Sequence, residues 1–191
     1  TNAAVTLSVG EAPDRCYRLW REAGADRFLL KFETSDPDLF AALKPTTMLA
    51  ARMNRLRRLR EMGYQVGSGI ILGLPGQDNM SVARDLILCG AEGYEMVSIG
   101  PFVPHPDTPL GQRVRDQGQE EDQSPGQVRA HGQTQTGTTA LPNARTPDVR
   151  TTLNTMAVAR LLTPMAHIPA TTALGVVGRQ DGRWRGQAAR Y

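Results

Sequence analysis

The stretch from Gly67 to Gln77 has the sequence G-S-G-I-I-L-G-L-P-G-Q and decides the fold of the chain. The apolar run over 66–72 predicts a buried β-strand. The sequence G-L-P-G over 73–76 predicts a sharp turn at the carboxyl end of that strand, where α/β proteins place their binding sites. Glycines within a strand allow close approach to the backbone, either of a flat ligand or of a packed neighbour, and the sequence leaves both open.

Strand–helix units surround this stretch. Apolar alternation predicts the strands, and amphipathic runs predict the helices. Asp14 and Asp36-Pro37 are typical of helix starts. Such alternation predicts parallel strands with helical crossovers, in either a TIM-type barrel or an open doubly wound sheet. The predicted strands cover 5–9, 28–32, 66–72 and 96–99, and the predicted helices cover 14–23, 46–62 and 79–89, with a short helical turn within 36–45.

Residues 111–150 differ from the rest of the chain. They contain seven Gln, five Gly and three Pro, and they lack Ile, Met, Phe, Trp and Tyr. Such a composition buries too little apolar area to offset chain entropy and predicts a long mobile loop. We therefore divide the chain into a partial barrel over 1–110, a low-complexity loop over 111–150, and a last part over 151–191. That last part is predicted to hold a helix over 153–162, a fifth strand with its following loop over 168–177, and a frayed tail.

Composition excludes several classes of protein. The chain has 191 residues, 40% hydrophobic residues, a formal charge of +3 and only 5% aromatic residues, which does not indicate a nucleic-acid partner. The sequence contains neither an apolar stretch long enough to span a membrane nor a pattern typical of a leader sequence. We therefore expect a cytoplasmic protein. Cys16 and Cys89 are too few for a disulfide scaffold or a four-cysteine metal site, and His105 with Asp107 make only two possible metal ligands.

Polar residues at predicted strand ends are the candidate site residues. Glu33 can accept hydrogen bonds from a ribose diol, or it can be a solvated acid near a helix start. Arg52 is one of five arginines over 52–60, any of which can pair bidentately with a carboxylate. The hydroxyls of Thr171 and Thr172 can hold an anion, or they can be ordinary threonines at the end of a strand.

Five segments in order resemble the radical S-adenosylmethionine maturases of FeFe-hydrogenase, the HydE type, which are related to biotin synthase and methylornithine synthase. The resemblance covers about residues 1–110 and 151–190. It implies an α/β fold, a partial TIM-type barrel of the radical S-adenosylmethionine kind with about five strands, to which the composition adds a long disordered insertion over 111–150. The segments are T-L-S-V-G-E (6–11), E-A-G-A-D-R-F-L-L-K-F-E-T-S-D-P (22–37), G-Y-Q-V-G-S-G-I-I-L-G-L-P-G-Q (63–77), I-G-P-F-V-P-H-P-D-T-P-L (99–110) and I-P-A-T-T-A-L-G (168–175).

The resemblance also implies a chemistry and its residues. In the family, a 4Fe–4S cluster on three cysteines reduces S-adenosylmethionine to a 5′-deoxyadenosyl radical, which acts on a small iron- or sulfur-containing precursor of the hydrogenase H-cluster alongside other maturation proteins. The resemblance assigns no catalytic side chain and no metal ligand to this chain. It implies that the cofactor is bound by Glu33 (ribose), Arg52 (methionyl carboxylate), Ile70 and Ile71 (adenine), and that the substrate lies near Thr6, Lys31, Thr171 and Thr172.

Three departures from the family limit this expectation. The cluster motif C-x3-C-x2-C does not occur in the sequence, Lys31-Phe32 stands where the maturases have Arg-His, and 111–150 is longer than the family's connection. We therefore expect a carboxyl-side fragment of a radical enzyme that is inactive alone. The alternatives are an enzyme of the biotin synthase or methylornithine synthase type, a non-catalytic nucleoside-binding half-barrel, a poorly folding remnant, or an aldolase-type barrel with Lys31 as its lysine.

Overall fold

The computed structural model describes residues 3–114 and 147–180. In these ranges four parallel strands form one curled sheet, a half-barrel, in the order β1-β2-β3-β4. The mixed α/β architecture confirms the barrel-type prediction. The strands are β1 (Val5–Leu7), β2 (Ala25–Leu29), β3 (Gln65–Leu72) and β4 (Met96–Pro101), and the helices are α1 (Asp14–Glu22), α2 (Pro37–Leu43), α3 (Leu49–Glu61), α4 (Asn79–Glu92), α5 (Val149–Leu162) and α6 (Thr172–Gln180).

The second strand carries a bulge at its carboxyl end. Its regular pairing with β3 ends at Leu29↔Gly67 and resumes as a single bridge at Glu33↔Ile70. The chain from Leu29 to Glu33 is therefore one residue longer than the facing stretch of β3. The hydroxyl of Ser68 fills the gap, because its Oγ accepts from the Phe32 amide at 3.3 Å and donates to the Leu30 carbonyl at 3.0 Å. This is why β2 ends at Leu29, three residues before the end of the predicted strand over 28–32.

The predicted fifth strand over 168–177 is wrong. Of the described residues that follow α5, His167, just before the predicted range, is the one that pairs along β4. Its amide donates to the Glu95 carbonyl and its carbonyl accepts from the Val97 amide, both at 2.8 Å. Pro169 has no amide hydrogen to continue the ladder. The chain turns instead into α6, whose Leu174 and Val177 are buried.

The ends of the described ranges bear on the predicted loop and tail. Residues 109–114 are helical, and α5 begins at Val149 rather than at Leu153. The remainder of the predicted 111–150 loop and of the predicted tail, at 115–146 and 181–191, lies outside the described residues. No helix in the described part of the chain is long and apolar enough to cross a membrane.

Of the two aspartates predicted to start helices, Asp36 caps its helix and Asp14 does not. The Asp36 carboxylate caps α2 through the amides of Asp38 and Leu39, with Pro37 at the first helical position. Asp14 does not cap α1, because it is already the first helical residue behind Pro13. Its carboxylate forms ion pairs with Arg55 and Arg58 of α3 instead.

The hydrophobic core lies between the sheet and the helices that cover its outer face. Phe28 of β2 is fully buried, with ring centroids 5.1 Å from Tyr17 of α1 and 5.7 Å from Tyr64. Met53, Leu56 and Leu59 of α3 are buried against the sheet in the same core. This packing fixes the outer side of the strands and leaves their carboxyl ends available for a site.

Candidate functional site

Two adjoining cavities lie at the carboxyl ends of the strands. The larger cavity has a volume of about 690 Å³ and lies between the ends of β2, β3 and β4, α2 and the start of α6. The smaller cavity, of about 480 Å³, lies between the β1–α1 connection, β2 and α3. Lys31, Glu33 and Lys44 line both cavities. Candidate ligand groups from several chain segments therefore meet at one edge of the sheet.

Glu33 is held in an unusual backbone conformation at this edge. Its φ is +69°, and the Thr34 amide donates to the Phe32 carbonyl at 2.9 Å, which closes a γ-turn centred on Glu33. The Glu33 amide donates to the Gly69 carbonyl at 3.0 Å, and its own carbonyl accepts from the Ile71 amide at 2.9 Å. A non-glycine residue at positive φ is strained, and its two backbone hydrogen bonds to β3 offset that strain.

The Glu33 carboxylate is buried and incompletely partnered. Its Oε2 atom makes no hydrogen bond among the described residues, although Lys31 Nζ lies 3.2 Å away as an ion-pair partner. Buried polar atoms are almost always hydrogen-bonded. Glu33 lines both cavities, so its carboxylate, with one oxygen short of a hydrogen bond, can meet a ligand that carries hydroxyl or amine hydrogens.

Arg52 is buried on α3 beside the smaller cavity. Its Nε atom donates to Glu11 Oε1 at 2.5 Å, its Nη1 atom donates to the Lys31 carbonyl at 2.6 Å, and the guanidinium lies 5.7 Å from the Phe40 ring centroid. Of the five arginines over 52–60, the structure thus places this one at the strand ends. Sequence reasoning missed Glu11, although it closes the T-L-S-V-G-E segment over 6–11.

The structure brings together only part of the predicted site. Lys31, Glu33, Ile71 and Thr171 line the larger cavity, and Arg52 lines the smaller one. The other three predicted residues lie elsewhere: Ile70 is fully buried in the core, Thr172 is exposed at the start of α6, and Thr6 lines a separate cavity of about 180 Å³ with Leu29, Gly67 and Met96.

The glycines of β3 are explained by packing. A Cβ atom built on Gly69 would lie 1.9 Å from the Ser98 carbonyl oxygen, and one on Gly67 would lie 3.0 Å from the Met96 Cβ. The neighbouring strand β4 therefore occupies the space that a side chain would need. Of the two interpretations left open by the sequence, close packing applies at these two positions.

The charge of the larger cavity favours an anionic ligand. Lys31, Lys44 and Arg113 line it together with His105, against the single carboxylate of Glu33. The described residues hold no group of three His, Cys, Asp or Glu side chains that could bind a metal ion. Burial raises the pKa of the Cys89 thiol to about 12, so that side chain is neutral at physiological pH.

The sequence is similar to known proteins over most of its length. The chain matches no family model. It is 40% identical over 174 residues to the [FeFe] hydrogenase maturase subunit HydE of Thermotoga maritima, which covers 91% of this chain and 41% of that relative. It is 34% and 33% identical over 90 residues to the 3-methylornithine synthases of Methanosarcina acetivorans and Methanosarcina barkeri, in each case 47% of this chain and 25% of the relative.

Solved structures show the same fold. Methylornithine synthase (PylB) superposes with a TM-score of 0.64 at 24% identity over 87% of this chain and 40% of that chain. Methanocaldococcus infernus Elp3 superposes with a TM-score of 0.63 at 11% identity over 95% of this chain and 42% of that chain. The chain is thus a half-barrel related to the radical S-adenosylmethionine enzymes. Among them it resembles the hydrogenase maturase HydE, of which it spans about two fifths, and the resemblance carried by the five segments is confirmed.

Proposed function

We propose that the two cavities at the strand ends bind S-adenosylmethionine, as part of a radical enzyme of the HydE type that acts in hydrogenase maturation. The observation that supports this most directly is the Glu33 carboxylate, which lines both cavities and whose Oε2 atom has no hydrogen bond among the described residues. A ribose diol supplies hydroxyl donors for this carboxylate. The volume of about 690 Å³ lies within the range of small-molecule sites.

Each end of S-adenosylmethionine has a matching group in this arrangement. Glu33 accepts from the ribose hydroxyls, and Ile71 with Leu74 supplies apolar contact for the adenine. Arg52 provides the cationic partner for the methionyl carboxylate, in competition with Glu11. Ile70 of β3 pairs with Glu33 through a single bridge, and its side chain lies in the core, so its contact with adenine remains a prediction.

The substrate is proposed to be a small anion in the larger cavity. Lys31 and Thr171 line this cavity with the cations Lys44 and Arg113, which suits an anionic precursor of the hydrogenase H-cluster that contains iron or sulfur. Thr6 and Thr172 lie outside this lining and remain predictions. Interaction with other hydrogenase maturation proteins and a location in the cytoplasm belong to the same proposal.

The cofactor requirement divides into two parts. Reduction of S-adenosylmethionine at a 4Fe–4S cluster supplies a 5′-deoxyadenosyl radical in such enzymes. The residues described here fit the nucleoside, but they include no ligand set for the cluster, so we assign it to none of them. The methylornithine synthase alternative is not favoured, because that similarity covers 47% of this chain against 91% for HydE.

Isothermal titration calorimetry of the chain with S-adenosylmethionine tests the proposal. We expect measurable binding that Glu33→Gln weakens by about tenfold or more, because the Gln amide offers fewer acceptor lone pairs to the diol. Glu92→Gln is the matched control, since Glu92 pairs with Arg57 and lines neither cavity. Absence of binding by the unsubstituted chain, or equal affinity in Glu33→Gln, would reject the proposal.

A further inference from the structure

A buried carboxylate on α4 connects the two loops that border the larger cavity. Asp85 has no exposed surface. Its Oδ1 atom accepts from both the amide and the hydroxyl of Ser35 at 2.5 Å, and its Oδ2 atom accepts from Gln77 Nε2 at 3.4 Å. Ser35 lies in the β2–α2 connection and Gln77 in the β3–α4 connection, so one side chain joins both.

The Gln77 arm closes the turn over 73–76. Gln77 Oε1 accepts from the Gly73 amide at 2.7 Å and from the Leu74 amide at 3.3 Å, and Nε2 also donates to the Ile71 carbonyl at 3.0 Å. These contacts fix which end of the Gln77 amide faces Asp85. Ile71 and Leu74 both line the larger cavity, so the hydrogen bonds of Gln77 hold part of the cavity wall in position.

The Ser35 arm fixes the exit of the strained γ-turn. Ser35 follows Glu33 by two residues, and its amide and hydroxyl are both bound by Asp85. A residue at positive φ persists only when its surroundings determine it strongly. The hydrogen bonds to β3 hold Glu33 on one side, and Asp85 holds the chain immediately after it.

The choice of a carboxylate at this position costs free energy. Burial raises the pKa of the Asp85 carboxyl above its usual value, the nearby Asp36 adds to that rise, and the hydrogen bonds from Ser35 oppose it. An apolar residue on α4 would avoid this desolvation. The hydrogen bonds that the carboxylate accepts from two loops partly offset this cost.

We propose that Asp85 is the positioning residue of the cofactor site, acting through Ser35 on the orientation of Glu33 and through Gln77 on the turn over 73–76. This inference rests on the proposed function for its ligand. Asp85 itself lines neither cavity, so it acts through its neighbours. Its effect is to keep two loops in the geometry that binding needs.

Asp85→Asn tests the proposal because it separates the two arms. The Asn carbonyl can still accept from Ser35, but its amide then faces the Gln77 amide, donor against donor. Gln77 cannot invert without facing the Gly73 and Leu74 amides with its own donor. Adding Gln77→Glu supplies an acceptor for the Asn amide and keeps the acceptor for Gly73 and Leu74, at the cost of the contact with Ile71.

We expect Asp85→Asn to speed hydrogen exchange at the Gly73 and Leu74 amides and to weaken S-adenosylmethionine binding by about tenfold, with part of both restored by Gln77→Glu. Leu86→Ala is the matched control, because Leu86 is the buried neighbour on α4 that faces the core. It should lower thermal stability while the affinity, measured well below the midpoint of unfolding, stays unchanged.

The outcomes separate this inference from the proposed function. Equal losses of affinity in Asp85→Asn and Leu86→Ala, or no restoration by Gln77→Glu, would reject the positioning role. If the unsubstituted chain fails to bind S-adenosylmethionine, the proposed function fails. Exchange at Gly73 and Leu74 then decides the positioning role alone: faster exchange in Asp85→Asn, reversed by Gln77→Glu, supports it, and unchanged exchange rejects it.

Discussion

Arg52 on α3 and Glu11 after β1 form an ion pair beside the cavities, with 2.5 Å between the guanidinium Nε and the carboxylate Oε1. The Arg52 side chain is 9% exposed and the Glu11 side chain is 29% exposed. The pair joins two segments 41 residues apart and places a cation where an incoming carboxylate would compete for it.

Glu11→Ala should destabilise the chain by about 1–2 kcal/mol, less than the loss for a fully buried pair, because Glu11 is partly solvated. Urea denaturation gives this free energy of unfolding. Glu92→Ala, which removes the carboxylate from a pair with the exposed Arg57, should cost about 0.5 kcal/mol. Equal losses in the two variants would contradict a special role for the Arg52 pair.

Removal of Glu11 should also tighten S-adenosylmethionine binding by a few-fold, because the ligand carboxylate no longer displaces an internal one from Arg52. Calorimetry on Glu11→Gln measures this effect with little change in side-chain volume. Arg52→Lys should weaken binding, since an ammonium lacks the planar fork of the guanidinium. Weaker binding in Glu11→Gln would show that Glu11 orients Arg52 rather than competing for it.

Glu33→Gly should separate stability from binding. Glycine adopts a φ of +69° without the steric cost of a Cβ, so we expect the variant to gain about 1 kcal/mol of unfolding free energy. The same change removes the carboxylate and should abolish S-adenosylmethionine binding. Thermal denaturation and calorimetry on one preparation measure both, and a loss of stability would contradict the strain described here.

The pH dependence of stability should reveal Asp85. Its folded pKa is raised above the unfolded value of about 3.8, so the folded chain holds the proton more tightly than the unfolded chain does. The stabilisation that protonation gives is therefore fully present below about pH 3.8 and is lost as the pH rises through the folded pKa. Relative to Asp85→Asn, the unsubstituted chain should gain stability from about pH 7 down to about pH 4, as measured by urea denaturation. A constant difference would contradict the raised pKa.

Gly69→Ala should destabilise the chain by about 3 kcal/mol or more, because its Cβ would lie 1.9 Å from the Ser98 carbonyl oxygen in β4. Gly93→Ala is a control for positive φ alone, since nothing lies within 4 Å of its Cβ position. It should cost about 1 kcal/mol. Similar losses in the two variants would argue against close packing as the reason for Gly69.

The alternation of strands and helices was predictable from the sequence because each depends on local periodicity. The run over 66–72 is apolar in continuous sequence, and β3 covers Gln65–Leu72. The predicted strand over 168–177 failed because a threonine- and alanine-containing run fits either element. What decides it is Pro169, together with a single bridge from His167 to Met96 that no local pattern reveals.

The candidate site divides along the same line. Glu33 was predictable as a carboxylate at the end of an apolar run, and the structure places it at the cavities. Asp85 was not, because an acidic residue within a helix usually faces water, and its partner Ser35 is 50 residues away in the sequence. The side chains of Ile70 and Ile71 part company because alternation along β3 directs Ile70 to the core while Ile71 faces the cavity.

The hydroxyl of Ser68 substitutes for a missing peptide group in the ladder between β2 and β3. Through it, strands of unequal residue count end at the same level, and Glu33 emerges opposite Ile70. The position of the Glu33 carboxylate at the strand ends is thereby fixed by a fully buried residue that lines neither cavity. Substitution at position 68 should therefore shift the level of Glu33 at the strand ends without removing any side chain that lines the cavities.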